Sequence, residues 1–270
     1  MGLSVLVITR NEESNIERCL QGLAFADEII VVDSFSTDRT VEIAKRYTDK
    51  VTQRQFRGFS EQKSAALGLA TQEWVLSVDA DEVVTEKLAA AIQDAIGDSL
   101  PFQGRAGERS KVNRKCDGYR IPRLTTFLGR EMRHCGWYPD CQLRLARRDK
   151  AAFPSRLVHE TMVVDGPVGT LEPDLVHHSY PSLAEYVRKM VLYAQAAARQ
   201  KQLDGRRFRP VDPLFKPGFA FLKMYVWKQG FRDGLHGLVL SVLTACSTAL
   251  RYAMLWELGR REDPAGSKPE

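Results

Sequence analysis

The 19 glycines of this sequence form neither a Gly-x-Gly-x-x-Gly fingerprint nor a Gly-x-x-x-x-Gly-Lys loop. Phosphate cradles that depend on close backbone approach at such glycines are therefore excluded. Paired Cys-x-x-Cys spacing is missing too: Cys19, Cys116, Cys135, Cys141 and Cys246 are an odd set without a regular framework. This argues against a disulfide scaffold and for a reducing compartment. Leu3-Ser4-Val5-Leu6-Val7-Ile8 turns polar at Arg10-Asn11-Glu12-Glu13, too short and wrongly flanked for a secretory signal, so a cytoplasmic location is expected. The apolar stretch from about Gly234 to Leu258 is interrupted by His236, Ser241, Thr244, Ser247, Thr248 and Arg251. A spanning helix needs ~20 nearly uninterrupted apolar residues, so this stretch reads as a core or interfacial element.

What is present is most telling at Trp74-Val75-Leu76-Ser77-Val78-Asp79-Ala80-Asp81-Glu82, an apolar run that ends in alternating carboxylates. Side chains alternate across a strand, so Asp79 and Asp81 are expected on one side of its end, two hard oxygen donors for a divalent metal on a diphosphate. Acidic residues after a strand also cap helices or begin acidic loops, and only the rest of the chain separates these readings.

A chain of 270 residues, 44% hydrophobic and 27% charged, can bury one large core or a core plus an appendage. The net charge of +5 is modest, but the basic residues gather: Arg105, Arg109, Lys111, Arg114 and Lys115; Arg144, Arg147 and Arg148; Arg199, Lys201, Arg206, Arg207 and Arg209. Clusters like these suit phosphorylated glycans, acidic lipid headgroups or nucleic acid, although a solvated surface explains any one of them.

From the start to about Ile96 strands and helices alternate, the signature of a mostly parallel sheet with crossover helices. Expected strands lie at Val5 to Ile8, Ile29 to Val32, near Val51, and up to Asp79. Expected helices carry Ile16, Leu20 and Leu23; Val41, Ala44 and Tyr47, with Ser36 or Thr37 as N-cap; Ser60 to Leu69; and Leu88, Ile92 and Ile96 after Thr85. Polar groups follow three of the strands, at Thr9 to Glu13, Asp33 to Asp38 and Asp79 to Glu82. Three polar strand ends in succession point to one crevice at the carboxyl edge of the sheet.

Pro101 to Asp117 reads as a loop, and apolar, aromatic segments resume at Tyr119-Arg120-Ile121-Pro122 and Gly136-Trp137-Tyr138-Pro139-Asp140. Leu143-Arg144-Leu145 alternates like a strand, and the runs Leu157-Val158-His159-Glu160 and Leu175-Val176-His177-His178 both end in titratable groups. This middle section is the expected wall for a second substrate. Beyond Ser182 a helix is expected with Tyr186, Met190, Tyr193 and Ala197 on one face, then a basic linker from Arg206 to Pro213. The aromatic and basic mixture from Pro210 to Arg232 suits a bilayer surface, and equally packing against the catalytic domain or another subunit.

Val7-Ile8-Thr9-Arg10-Asn11-Glu12-Glu13, Ile30-Val31-Val32-Asp33-Ser34-Phe35-Ser36-Thr37-Asp38 and the Trp74 to Glu82 segment resemble, in order and spacing, family-2 glycosyltransferases. The resemblance implies inverting enzymes of the GT-A fold that use nucleotide-sugar donors. Phe127-Leu128-Gly129, Gly136-Trp137-Tyr138-Pro139-Asp140, Leu143-Arg144-Leu145, Val158-His159-Glu160, His177-His178-Ser179-Tyr180 and Gly230-Phe231-Arg232-Asp233-Gly234 are similar to the branch of glucosyltransferases that extends the inner core of bacterial lipopolysaccharide. That branch usually has an aromatic after its first histidine, where this chain has His178, and it contains relatives with other acceptors.

The resemblance implies a GT-A catalytic domain over residues 1–180, with a nucleotide-sugar half at 1–100 and an acceptor half at 118–180, followed by a helical region over 181–270. The implied donor site comprises Thr9, Asn11, Glu13, Asp33, Ser34, Asp38, Lys63 and Asp79, with Asp33 on the uracil and Asn11 and Glu13 about the base and ribose. The implied metal, Mg2+ or Mn2+, is ligated by Asp81, with Asp79 and His177 as further candidates. It would neutralise charge building on the departing phosphate.

Inversion by one displacement needs a base for the acceptor hydroxyl. Glu160 is the first candidate, because the apolar run before it would desolvate the carboxylate and raise its pKa, and Asp140, after Trp137 and Tyr138, is the second. The expected partners are a UDP-sugar, with glucose the expected sugar, a glycan or glycolipid acceptor of the lipopolysaccharide core, the cytoplasmic face of the inner membrane, and a second copy of the chain. Nucleic acid is not expected. Two rivals stand beside this reading, a metal-dependent nucleotidyltransferase and a non-catalytic membrane-surface scaffold.

Overall fold

The computed structural model describes residues 1–97, 116–154 and 161–262. They form two compact units, residues 1–124 with 139–178, and residues 125–138 with the chain from 179 on. The division therefore places 125–138 with the C-terminal helices rather than with the expected acceptor half.

The first unit begins as strand and helix alternation: β1 (Leu3–Thr9), α1 (Ile16–Gln21), β2 (Glu28–Asp33), α2 (Thr40–Ala44), β3 (Val51–Gln53), α3 (Phe59–Leu69), β4 (Trp74–Asp79), β5 (Glu82–Val84) and α4 (Glu86–Gly97). Then come β6 (Gly118–Phe127), β7 (Arg130–Glu131), β8 (Asp140–Arg147), β9 (Ala151–Ala152), β10 (Val163–Val164), β11 (Val168–Thr170) and β12 (Leu175–Tyr180), of which β7 and the last residues of β6 and β12 belong to the second unit.

Strands β3, β2, β1 and β4 lie side by side and all parallel. β8 continues the sheet antiparallel to β4, and β6 antiparallel to β8, with β11 parallel to β6. The parallel strands are continuous apolar runs because both of their faces are covered. Along β1, Leu3, Val5 and Val7 enter one core with Ile16, Leu20, Leu88 and Ile92, while Leu6 enters another with Ile30, Val32, Ala66 and Val75. Each such side chain, removed from water, stabilises the fold by about 1.5–3 kcal/mol.

Helix α4 follows the expected spacing, burying Leu88, Ile92 and Ile96, with the Thr85 hydroxyl accepting from the Leu88 N–H at 3.3 Å. Helix α2 starts later than expected. Arg39 is its N-cap, because the hydroxyls of Ser36 and Thr37 are drawn into the loop after β2. The chain runs outward through β1, β2 and β3 and returns to the far side of β1 for β4, so the topological switch lies between β1 and β4. Ligand crevices of open α/β sheets form outside the carboxyl ends of strands at such a point.

The second unit is built on α5 (Leu183–Leu203), α6 (Asp212–Leu222) and α7 (Gly234–Glu262), with a π-helical turn at Lys223–Trp227 and a 3-10 turn at Gly230–Asp233. Phe127, Met132, Cys135 and Leu240 form its core, with Trp137, Tyr180, Tyr186 and Met224 packed around them. Burial raises the Cys135 thiol to about 11 and the Tyr186 phenol to about 12. In α5 the buried positions are Ala194 and Ala198, one residue past the expected Tyr193 and Ala197, and Tyr193 is exposed. Small alanines let a neighbouring helix approach, whereas the larger tyrosine stays outside.

The Gly230 to Gly234 motif is a close-packing device. A Cβ on Gly237 would stand 1.9 Å from the Gly230 carbonyl oxygen, and one on Gly230 would stand 2.8 Å from the Cys135 sulfur. Buried Asp233 accepts from the His134 N–H at 2.9 Å and meets its ring Nδ1 at 2.7 Å. The segment Gly230–Arg260 is long and apolar enough to cross a membrane by length and composition, and about a fifth of its most apolar stretch is buried.

Candidate active site at the switch of the parallel sheet

The loops that leave β1 and β2 are stitched to each other. Asn11 donates its N–H to the Ser36 hydroxyl at 2.8 Å and accepts from the Thr37 N–H with Oδ1 at 2.8 Å. The Glu13 N–H donates to Asp38 at 3.2 Å, and the Glu13 carboxylate accepts from the Arg39 N–H at 3.1 Å. Burial opposes ionisation of Asp38, but hydrogen bonds from Thr40 and the Glu13 N–H outweigh it and hold the carboxyl below its ordinary range. Asn11 (φ 55°) and Phe35 (φ 54°) are left-handed, a conformation asparagine tolerates and phenylalanine rarely adopts. Strain of this kind collects in functional loops.

Asp33 is fully buried; it accepts from the Ser36 N–H at 2.8 Å and from Gln53 Nε2 at 3.0 Å, and it also pairs with the Ser36 hydroxyl. Its carboxylate thus orders the loop as well as facing the strand end. Ser34 is held by Gln62 Nε2 at 3.0 Å. Next to Asp33 in the ladder, Thr9 has a buried hydroxyl with no partner among the described residues. An orphaned buried hydroxyl at the mouth of a crevice is a group for a ligand to satisfy.

The two carboxylates after β4 do not converge. The strand ends at Asp79 and the chain turns through Ala80 and Asp81, so the period of two stops before Asp81. Asp79 lies between two cations, Lys63 Nζ at 2.8 Å and Arg144 at 3.0 Å. Burial pushes its pKa up, but Arg144 and Lys63 dominate and hold it far below the usual carboxylate range. Asp81 instead meets His177, Oδ2 to Nε2 at 3.1 Å. Antiparallel pairing of β12 with β5, His177 opposite Glu82, sets that contact, and the His178 N–H donates to the Asp81 carbonyl at 2.8 Å. Desolvation lowers the pKa of His178, with the nearby charge of Arg18 adding to it.

These groups adjoin a charge network of which the expected site included only Asp79. Arg144, buried, bridges Glu82 at 2.6 Å and Asp79, and Glu82, also buried, accepts from the Asp79 N–H at 2.9 Å. Burial raises the Glu82 pKa against the pull of Arg144, and the surrounding carboxylates raise that of Arg144 against its own desolvation. Cys19 donates its thiol to the Asp79 carbonyl at 3.7 Å, and burial keeps that thiol protonated. The sequence does carry a signal for Arg144. An arginine between Leu143 and Leu145, in a strand buried on both faces, must find a carboxylate there.

Asp140 lies at the start of β8, bound by Arg123 at 2.6 and 3.0 Å and by Gln142 at 3.1 Å. Glu160, with the rest of the Leu157 to Glu160 run, is outside the described residues. The structure therefore brings together Thr9, Asn11, Glu13, Asp33, Ser34 and Asp38 about the first two strand ends, Lys63 with Asp79, and Asp81 with His177. Among the described residues no three of His, Cys, Asp and Glu form a metal-binding group. Asp81 and His177 nevertheless fit as two of a metal's ligands, a hard oxygen and an imidazole side by side, while Asp79 is engaged by cations.

Residues 4–150 match the family model Glycosyl transferase family 2. The chain is 30% identical to the lipopolysaccharide core biosynthesis glycosyltransferase LpsC of Rhizobium meliloti (strain 1021), over 93% of each protein. It is also 30% identical to an uncharacterized glycosyltransferase of Rickettsia bellii (strain RML369-C), over 97% of this chain and 89% of the relative. Among solved structures, the mannosyltransferase PcManGT from Pyrobaculum calidifontis in complex with GDP-Man and Mn2+ aligns with a TM-score of 0.48 at 16% identity, over 98% of this chain and 81% of the other. The α/β fold with its parallel strands and helical C-terminal region is as expected for the GT-A type, and the nucleotidyltransferase and non-catalytic scaffold are set aside. The chain belongs to glycosyl transferase family 2.

Proposed function

We propose that this glycosyltransferase moves a hexose, glucose in the first instance, from a UDP-sugar to a saccharide of the lipopolysaccharide core, with inversion and with a divalent metal. The observation that carries the reading is the Asp81 and His177 pair at the switch point, beside an Asp79 already neutralised by Lys63 and Arg144. The similarity to a lipopolysaccharide core transferase over nearly the whole chain supports the acceptor class.

In this reading the stitched loops after β1 and β2 bind the nucleoside. Asn11, Glu13, Ser34 and Asp38 frame the base and ribose, Asp33 fixes the loop and meets the uracil edge, and the free hydroxyl of Thr9 completes the pocket. Asp79 approaches the ribose while Arg144 and Lys63 fix its direction. Asp81 and His177 would hold Mg2+ or Mn2+, which when bound would supply neutralisation of the charge on the departing diphosphate. Lys63, 12% exposed in its side chain, adds fixed positive charge beside the same strand end. Loss of a nucleoside diphosphate through an oxocarbenium-like transition state then depends on positioning and electrostatics already built into the sheet edge.

The acceptor hydroxyl gives its proton to a carboxylate on the opposite face. Glu160 is the first choice for this base. Asp140 is the second, since the guanidinium of Arg123 that holds it would weaken it as a proton acceptor.

The test is a donor panel scored by UDP or GDP release against heptose-containing core oligosaccharide, with Mg2+, with Mn2+ and with chelator. UDP release from UDP-glucose that requires metal and acceptor is expected. Metal-independent turnover, or preference for a GDP-sugar, would overturn the donor and metal assignments separately.

A further inference from the structure

The second unit contains a cavity of about 490 Å3 that takes no part in the reading above. Its wall includes Lys201, Arg206, Arg207, Arg209 and Lys216, with Asp212 as the one acid, and Tyr252 and Leu255 form its back. Lys216 is tied in place, its ammonium 2.9 Å from the Tyr252 hydroxyl, 3.0 Å from Asp212 and 4.7 Å from the centre of the Tyr252 ring. Lys201 stands over the same ring at 5.5 Å. Arg206, Arg207 and Arg209 are exposed and have no carboxylate partner among the described residues. Five cations against one carboxylate, in a concavity rather than on a flat surface, concentrate positive potential where a compact anion fits.

The apolar side chains next to these residues in sequence say where that anion comes from. Leu203 is 82% exposed, Val211 54%, Leu214 74% and Phe215 72%, and they flank the arginines in sequence on both sides. Exposed apolar area on this scale is a cost in water unless something covers it. A soluble phosphate would satisfy the arginines and leave Leu214 and Phe215 bare. A phospholipid satisfies both, its headgroup in the basic cavity and its acyl region against the apolar side chains, the arrangement of interfacial amphipathic elements with basic residues beside large hydrophobic ones.

We propose that this cavity binds the phosphate of an anionic phospholipid headgroup and so seats the helical unit on a bilayer surface. The site shares no residue with the donor crevice, and its occupancy is read without donor, acceptor or turnover.

The experiment is flotation of the full chain with vesicles of phosphatidylcholine alone and of phosphatidylcholine mixed with phosphatidylglycerol. Binding to the mixed vesicles only, weakened by salt, is expected. R206Q/R207Q/R209Q should lower that binding on the order of 100-fold, three charges at roughly fivefold each near a membrane surface. R206K/R207K/R209K should keep most of it. L214S/F215S should weaken it too, with no change in melting temperature because both residues are exposed in the free protein. Equal binding to pure phosphatidylcholine, or full binding by the glutamine variant, would overturn the proposal. So would release of the chain from the mixed vesicles by inorganic phosphate at an ionic strength where chloride has no effect, since that assigns the cavity to a soluble phosphate.

Discussion

Charge is handled in opposite ways in the two units. At the carboxyl edge of the parallel strands it is largely buried and paired: Arg144 with Glu82 and Asp79, Asp79 with Lys63. At the basic cavity of the helical unit, Arg206, Arg207 and Arg209 are exposed without a carboxylate partner among the described residues, next in sequence to exposed Leu214 and Phe215. Paired buried charges lock side chains into one geometry, as a preorganised reaction site requires. Open cations next to apolar surface lack any such internal partner and are suited to one from outside.

The sharpest way to break this comparison is to remove a member of the buried network. Arg144→Met takes from buried Glu82 its 2.6 Å ion-pair partner and leaves Asp79 with Lys63 alone, for which about 3–5 kcal/mol of stability is lost. Denaturant titration should show that loss, and Arg144→Met with Glu82→Gln should recover part of it. A variant that unfolds at the wild-type midpoint would mean that the network is not a structural lock.

Asp81 tests the catalytic side of the same edge. Asp81→Asn keeps the shape and a hydrogen bond to His177 but loses the charge, so turnover should fall by about 100-fold or more while the apparent acceptor affinity changes little. The comparison variant is His177→Gln, expected to weaken metal affinity roughly 10-fold and turnover less than Asp81→Asn does. Calorimetric titration of Mn2+ with UDP separates the two. Unaltered Mn2+ uptake in both variants would remove these residues from the metal site.

Buried pairing also makes a pH signature. Glu28, buried at the start of β2, is bound by Lys50, Ser4 and Thr71. Its burial opposes ionisation, but the Lys50 pair and the hydrogen bonds prevail and its pKa is lowered to about 2 from an unfolded value of 4.5. Its folded pKa is depressed, so its stabilisation is complete above pH 4.5 and is lost as the pH falls toward 2. Roughly 2 kcal/mol is expected, less than the whole shift would give because Lys50 is half exposed and screened. Glu28→Gln should flatten the acid limb of the stability curve over that range, and an unchanged limb would remove Glu28 from its cause.

The parallel strands and α4 were legible because their signals are local: continuous apolar runs for β1, β2 and β4, and an i, i+4 series at Leu88, Ile92 and Ile96. The same holds for the loops after β1 and β2, whose polar residues do stand together. The partner of each carboxylate was not legible. Asp79 and Asp81 are two residues apart, yet one turn at Ala80 sends them to Arg144 and His177, residues brought in by β8 and β12 from far along the chain. Long-range pairing of that kind depends on sheet order, which no local period encodes. In α5 the helix was legible and Tyr186 does pack inward, but farther along the buried positions are 194 and 198 rather than 193 and 197, because small alanines there are chosen by the space available to a neighbour and not by hydrophobicity.

The smallest expected effect sharpens the comparison from the helical side. Ser182 is the N-cap of α5; its hydroxyl accepts from the Glu185 N–H at 3.2 Å, and Ser182 with Glu185 has the spacing of a capping box. Ser182→Ala should cost about 1 kcal/mol, the ordinary value of an exposed cap, and Ser182→Asp should cost almost nothing. Both follow from a cap that meets water on one side and a single N–H on the other, unlike the multiply bonded carboxylates at the sheet edge. Thermal melts of the two variants decide it: a loss as large as that for Arg144→Met would show that the helical unit also depends on locked polar contacts, and the contrast between the units would fail.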